Sequence, residues 1–283
     1  MTAGAPIWPV AEVVIFDCDS TLSAVEGIDE LARLTGSETH VAALTKRAMD
    51  GEIALERVYD HRLDKSNPTR AQVSFIRDIY RENVIPDAPD VIAALRELGV
   101  AVFIVSGGLS EPVRDFGVWL NVPREHIFAV DMQYDQLSGQ WWRYWEQPGG
   151  NNPRANYLSV DSNPLTGTGG KNLLIDRIRA GHPGRALLVG DGLSDLEASR
   201  HVDLFVGFGG AVYRKRVATE SPVYIDAPYL APLLPLALGN LADVTPWRRL
   251  FSAGVRMVEH GEVVFRDSKM QEHLLDAVER RSG

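Results

Sequence analysis

Asp17 and Asp19 stand one residue apart where an apolar run, Val13-Val14-Ile15-Phe16, stops. If the chain is still extended there, alternation sends both carboxylates to one side and turns Cys18 away. Neighbouring carboxylates repel, so one holds its proton longer or a cation sits between them. Such electrostatics suit a nucleophile beside an acid/base, or a metal site. An ordinary turn at a strand end is the alternative, since Asp and Ser are common turn residues. Three further groups of this kind lie downstream. Ser106-Gly107-Gly108 closes the apolar run Val100 to Val105, and could turn backbone amides and a hydroxyl toward an anion. Asp191 and Asp195, four apart, follow Ala186 to Val189 across a Gly-Asp-Gly turn. Lys171 opens an apolar helical stretch, where the helix dipole disfavours a cation, a mild sign of a role elsewhere.

The elements that must position these groups are short buried strands. Runs of β-branched and aliphatic residues bounded by polar ones read as strands buried on both faces, as in a parallel sheet. Parallel strands put their carboxyl ends on one edge, so one pocket could collect Asp17, Asp19, Ser106 and Asp191. Two competing motifs fail. Gly169-Gly170-Lys171 lacks the first glycine of a nucleotide-binding loop, because Leu165 stands there, and Asn172 replaces its Ser or Thr. No regularly spaced acids and no closing Glu come after Asp191, which excludes a calcium loop of the EF-hand type.

Asp17-Cys18-Asp19-Ser20-Thr21 resembles the DxDxT signature of the haloacid dehalogenase superfamily. Val25 to Ala32 is similar to the segment just after that signature in the phosphoserine phosphatase-like branch. Ser106, Lys171 and the Asp191/Asp195 pair fall at that family's second, third and fourth motifs, and the likeness runs from about Val10 to Ile225. The resemblance implies a phosphatase working through an aspartyl-phosphate, with Asp17 the nucleophile, Asp19 the acid/base and Lys171 a fixed charge between nucleophile and phosphate. Ser106, Gly107 and Gly108 would hold phosphoryl oxygens. Mg²⁺ would be held by Asp17, by the backbone carbonyl of Asp19 and by Asp191, with Asp195 acting through water or orienting it.

The stretch from Val25 to Asn83 changes to helical spacing: Ile28, Leu31 and Leu34, then Val41 to Met49, Ile53 to Leu63 with a break near Asp50-Gly51, and Thr69 to Tyr80. By resemblance this insertion is a cap that excludes bulk water from the site. Glu26, Met49 and Arg62 match the branch's substrate positions, Glu26 for a substrate ammonium and Arg62 for its carboxylate. A surface role on helices is the alternative for Glu26 and Arg62. Leu55 stands where the family commonly carries Phe, a change that enlarges the pocket.

The chain of 283 residues is 45% hydrophobic and 24% charged, which allows a large core plus an appendage. A formal net charge of −9 argues against a nucleic-acid partner. A single cysteine, Cys18, excludes an internal disulfide and suits a reducing compartment, where it serves as a small packing residue. With no leader-like N-terminus and no stretch of membrane-spanning length, the expectation is a cytoplasmic protein without a membrane partner. Residues 131–168 carry Trp141, Trp142, Tyr144 and Trp145 and read as an extended hairpin turning at Ser138-Gly139. In the tail, Val255 to Val258 and Glu262 to Phe265 flank His260-Gly261 as a second hairpin, and Met270, Leu274, Leu275 and Val278 share a helix face. A homodimer contact or a brace on the core would each fit that tail.

The expected fold is therefore α/β: a Rossmann-like parallel sheet core, residues 1–24 and 85–283 with hairpin 131–168 and extension 240–283, and an inserted small helical cap, residues 25–84. The expected activity is hydrolysis of a small phosphorylated metabolite, phosphoserine first, with a place in serine biosynthesis implied by the resemblance. A phosphatase for another metabolite, or a phosphotransferase to a small alcohol such as homoserine, stays open.

Overall fold

The computed structural model describes residues 8–49, 55–135, 152–161, 163–167, 169–239 and 245–279, with the side chains of 45–49 and 55–59 outside that description. The chain enters through β1 (Ala11–Phe16), whose Val13 to Phe16 are fully buried, as the apolar run requires of a central strand. Four helices come next: α1 (Gly27–Thr35), α2 (Glu38–Met49), α3 (Leu55–Ser66) and α4 (Arg70–Glu82). Gly36 ends α1 in the left-handed conformation, φ 68°. Thr69 starts α4 through a reciprocal capping box with Gln72, and the helix buries Val73, Ile76 and Tyr80 on one face. The helical insertion read from the sequence is thus present. The break expected at Asp50-Gly51 lies outside the described residues.

The core resumes with α5 (Ala88–Glu97), β2 (Ala101–Leu109), α6 (Ser110–Trp119) and β3 (Ile127–Val130). A short antiparallel pair, β4 (Met132–Tyr134) and β5 (Tyr157–Val160), leads to α7 (Gly170–Gly181), β6 (Arg185–Gly190), α8 (Leu193–Ala198), β7 (Leu204–Phe208), α9 (Lys215–Glu220) and β8 (Val223–Ile225). The chain ends with α10 (Leu233–Leu238), α11 (Arg248–Glu259), β9 (Val263–Phe265) and α12 (Ser268–Glu279). Strand order in the seven-stranded sheet is β3-β2-β1-β6-β7-β8-β9, parallel throughout except β9, which runs antiparallel to β8. Phe16 pairs with Ile104 on one side and Val189 on the other, so β1 and β6 end level at one edge while β2 runs on beside them.

Two local readings are corrected. Ser106-Gly107-Gly108 does not close its strand: β2 continues through it to Leu109, with an irregular register against β3 between Val105 and Leu109. A bulge of this kind bends a strand and re-aims its groups without ending it. Val255 to Val258 is not a strand but part of α11, whose buried residues Phe251, Gly254, Met257 and Val258 recur at helical spacing. A four-residue stretch, Val255-Arg256-Met257-Val258, cannot separate the two periods; the longer window can. Only the second half of that supposed hairpin is a strand, β9, and it pairs with β8.

The tail braces the core. Leu274 of α12 is fully buried, and the Asp87 carboxylate accepts hydrogen bonds from the amides of Leu230 (2.8 Å) and Ala231 (2.7 Å), tying α5 to the chain entering α10. The β4–β5 pair in turn leans on the cap, because the Tyr157 amide donates to the Pro68 carbonyl at 2.8 Å and the Arg70 amide to Ala155 at 2.9 Å. The four hairpin aromatics and Ser138-Gly139 lie outside the described residues. Among the described residues no helix is long and apolar enough to cross a membrane.

Candidate active site

The level ends of β1 and β6, with β2 beside them, open into a cleft of about 360 Å³ lined by Asp17, Asp19, Glu26, Gly107, Lys171 and Asp191, among others. Site and sheet edge coincide, as expected where ligands sit outside the carboxyl ends of parallel strands. Two glycines are demanded by close approach. A Cβ on Gly108 would lie 2.8 Å from Oδ2 of Asp19, and one on Gly190 2.3 Å from the Asp195 carboxylate carbon.

Lys171 is the hub. Its Nζ lies 2.8 Å from Oδ2 of Asp17 and 2.6 Å from Oδ1 of Asp195, with only 7% of its side chain exposed. Burial alone would pull its pKa down, but the two carboxylates outweigh that and push it up, so the ammonium is a permanent charge. This offsets the unfavourable position at the start of α7. Burial pushes the Asp195 carboxyl up against the pull of Lys171, and its Oδ2 accepts the Gly192 amide at 3.1 Å.

Asp19 occupies a different environment. Its Oδ1 accepts the Gly27 amide at 2.8 Å and the Tyr80 hydroxyl at 2.6 Å, which leaves Oδ2 for a proton. Burial raises its pKa to about 7; the Tyr80 hydrogen bond opposes that rise and the nearby Asp17 charge adds to it. Asp17 holds the Cys18 amide on Oδ1 at 2.7 Å and Lys171 on Oδ2. Two carboxylates two residues apart therefore differ in environment, one ion-paired with Lys171 and the other held by neutral donors with its pKa raised.

Asp17, Asp191 and Asp195 can each place a carboxylate oxygen within 4.8 Å of the others'. The three carboxylates of this cluster meet two cations, Lys171 on Asp17 and Asp195 and Arg214 on Asp191, and every donor of the cluster is oxygen. That set fits a hard divalent cation. Asp19's carboxylate lies outside the cluster, being held by Gly27 and Tyr80. Burial, with Asp17 nearby, raises the Asp191 pKa, and Arg214 counteracts it.

Sequence reasoning missed three contributors. Thr21 donates its hydroxyl to Oδ1 of Asp191 at 3.2 Å, giving the final residue of the first motif a role. Tyr80 reads from the sequence only as part of an apolar helix face, and nothing in its spacing marks the hydroxyl. Arg214 binds Oδ2 of Asp191 through Nε at 2.8 Å and Oε1 of Glu26 through Nη2 at 2.6 Å, joining core to cap. The available signal was its place just after β7, in a loop at the same sheet edge. Of the expected phosphate-binding group, Gly107 lines the cleft, while Ser106 is fully buried with Oγ accepting the Gly108 amide at 3.0 Å. Glu26 lines the cleft too. Arg62 on α3 does not line it, and Met49 and Leu55 have side chains outside the description.

A family model described as haloacid dehalogenase-like hydrolase matches residues 14–200. The chain belongs to the haloacid dehalogenase-like hydrolases. Within this family it is phosphoserine phosphatase-like: the phosphoserine phosphatases of Rattus norvegicus and Homo sapiens are each 32% identical to it over 216 residues, 76% of this chain and 89% of theirs. A solved phospho-aspartyl intermediate analogue of phosphoserine phosphatase superposes with a TM-score of 0.60 at 22% identity, covering 75% of this chain and 91% of that one. At that identity the likeness is one of fold. It bears out the α/β core with its helical insertion.

Proposed function

We propose that this haloacid dehalogenase-like hydrolase is a Mg²⁺-dependent phosphomonoesterase acting through an aspartyl-phosphate, with phosphoserine as substrate. One observation carries the reading: buried Lys171 bridges Asp17 and Asp195 at 2.8 and 2.6 Å, while Asp19, held apart, titrates at about 7. A nucleophile beside a permanent cation and a separate proton donor is what ester cleavage at phosphorus needs.

In the first step a carboxylate oxygen of Asp17 attacks phosphorus and the bond from phosphorus to the ester oxygen breaks. Asp19 gives the proton on Oδ2 to the departing alkoxide. In the second step Asp19 takes a proton from water, which attacks phosphorus and releases Asp17 and phosphate. Lys171 neutralises charge on the phosphoryl oxygens, helped by amides near Gly107 and the Ser106 hydroxyl. Asp17, Asp191 and Asp195 would hold Mg²⁺, with the Asp19 carbonyl, and when bound it supplies further charge neutralisation and orientation at the phosphoryl group. The cap excludes bulk water, so the attacking water is a positioned one.

The substrate reading draws on the names of the 32% identical relatives and on Glu26, an anion in the cleft wall suited to an ammonium. A phosphate-release screen over phospho-L-serine, phosphoethanolamine, phosphoglycolate and sugar phosphates with Mg²⁺ tests it. Phospho-L-serine leading by kcat/KM is expected, and a sugar phosphate leading would overturn it. Release of free phosphate in the presence of added homoserine separates hydrolysis from transfer.

A further inference from the structure

A second cavity, of about 430 Å³, lies apart from the catalytic cleft and shares no lining residue with it. One wall is a stripe of α11 and the residue that ends it, Leu250, Ala253, Met257 and His260, at helical spacing with Arg256 beside them. Tyr229, Ala231 and Glu262 come to it from the chain after β8 and just before β9. The walls are fastened to one another by backbone. A Cβ on Gly254 would lie 2.2 Å from the Ala231 carbonyl oxygen, so α11 closes tightly on the segment that carries Tyr229. The Glu262 amide donates to the Met257 carbonyl at 3.0 Å, and the Asp226 amide to the Glu262 carbonyl at 2.8 Å. The cavity is therefore preformed, and its size falls in the range of about 300–1,000 Å³ usual for small-molecule sites. Apart from Asp87, every residue lining it lies beyond the stretch 14–200 that the family model matches.

We propose that this cavity binds a free α-amino acid with a large apolar side chain, its carboxylate on Arg256, its ammonium on Glu262 and its side chain against the α11 stripe. The side chains of Arg256 and Glu262 carry no hydrogen bond or ion pair among the described residues, although both line one cavity. Asp87, the other acid there, spends its oxygens on the Leu230 and Ala231 amides, which leaves Glu262 to meet a cation. The Arg256 guanidinium is a planar fork matched to a carboxylate, and the His260 ring, one turn on, adds a further N–H. Between these charges Leu250, Ala253 and Met257 offer an apolar surface, and the Met257 thioether and Tyr229 ring are favourable neighbours for an aromatic side chain. A purely apolar ligand would strand two charges away from water. An amine or an acid alone would answer one of them. The proposal stands apart from the substrate reading, since it uses no residue of the catalytic cleft.

Calorimetric titration of the full chain with L-phenylalanine tests this, beside 3-phenylpropionate, which lacks the ammonium, and phenethylamine, which lacks the carboxylate. L-Phenylalanine is expected to bind saturably with a Kd of about 1 mM or tighter. Each analogue should bind at least about tenfold more weakly, the scale of one lost hydrogen bond to a charged group. Arg256→Met keeps the apolar stem and removes the fork, and Glu262→Gln removes the anion; each should weaken L-phenylalanine by the same factor. Ala253→Phe fills the cavity from α11 and should abolish binding. Should that variant fail to fold, the two charge variants, which alter only solvent-facing groups of the wall, still decide. No saturation by L-phenylalanine in wild type would overturn the proposal, as would equal affinity in wild type, Arg256→Met and Glu262→Gln, which would place the ligand elsewhere. 3-Phenylpropionate binding as tightly as L-phenylalanine would remove Glu262 from the site and the amino-acid class with it. None of these outcomes bears on phosphoserine as substrate, which the phosphate-release screen decides separately.

Discussion

Tyr80 reaches from the cap into the core and donates its hydroxyl to Oδ1 of Asp19 at 2.6 Å, on the same oxygen that accepts the Gly27 amide. The ring is fully buried, and a Cβ on Gly27 would fall 2.2 Å from its hydroxyl, so cap and acid/base are fitted to each other. The bond steadies the ionised form of Asp19 against the burial that raises its pKa.

Removing that donor should therefore raise Asp19 further. In Tyr80→Phe the basic limb of the kcat/KM profile for an alkyl phosphate, where the departing alkoxide loses its proton donor, is expected to move to higher pH. Little stability should be lost beyond about 1–3 kcal/mol for the broken buried bond. An unmoved limb in a folded variant would mean that Tyr80 only packs.

Asp19 also gives stability a pH dependence of known sign. Its folded pKa of about 7 lies above the ordinary 3.8, so the folded state binds more protons between those values than the unfolded chain does. The group's contribution is fully present below about pH 4 and is lost as pH rises through about 7, on the order of 4 kcal/mol at most. Asp19→Asn cannot ionise and should escape the loss. In metal-free protein the variant is expected to gain on wild type in Tm between pH 4.5 and pH 8, and parallel curves would argue that Asp19 titrates normally.

How far the sequence carries the site depends on what each residue's role leaves in its neighbourhood. Asp17, Asp191 and the helix of Lys171 were legible because a strand that ends at a site must be buried up to its last residue, and Val13 to Phe16 and Ala186 to Val189 show that in their side chains. Arg214 was not, because it works from an irregular loop where no periodicity constrains it. Tyr80 was half legible: helical spacing placed its ring in the core, but a buried hydroxyl obeys the same spacing whether or not it has a partner. The tail failed where apolar runs were shortest. Val255 to Val258 satisfies a strand and a helix equally until Phe251 and Gly254 enter the window.

Asp17→Asn should abolish turnover with the fold intact, since Asn is close in shape but is neither nucleophile nor anion. Wild-type rates in that variant would remove Asp17 from the chemistry. Asp191→Ala should act first through Mg²⁺, because it strips an oxygen from the carboxylate cluster and frees Arg214. A Mg²⁺ titration followed by calorimetry is expected to weaken by at least about tenfold, the lower range for disturbing a metal site. The same isotherm in wild type and variant would place the ion elsewhere.

The extension beyond β8 is expected to serve stability without touching catalysis. Leu274 is fully buried against the core, β9 closes the β8 edge that would otherwise present unpaired backbone groups, and Trp8 meets His273 edge-on with centroids 5.5 Å apart. None of these residues lines the catalytic cleft. Leu274→Ala removes a buried side chain and leaves a cavity, which costs about 2–5 kcal/mol. Urea unfolding of the variant should show its midpoint lowered with an unchanged slope, while kcat and KM measured well below that midpoint stay at wild-type values. Loss of kcat at full native population would show that the tail is coupled to the cleft, and unchanged stability would show that α12 does not brace the sheet.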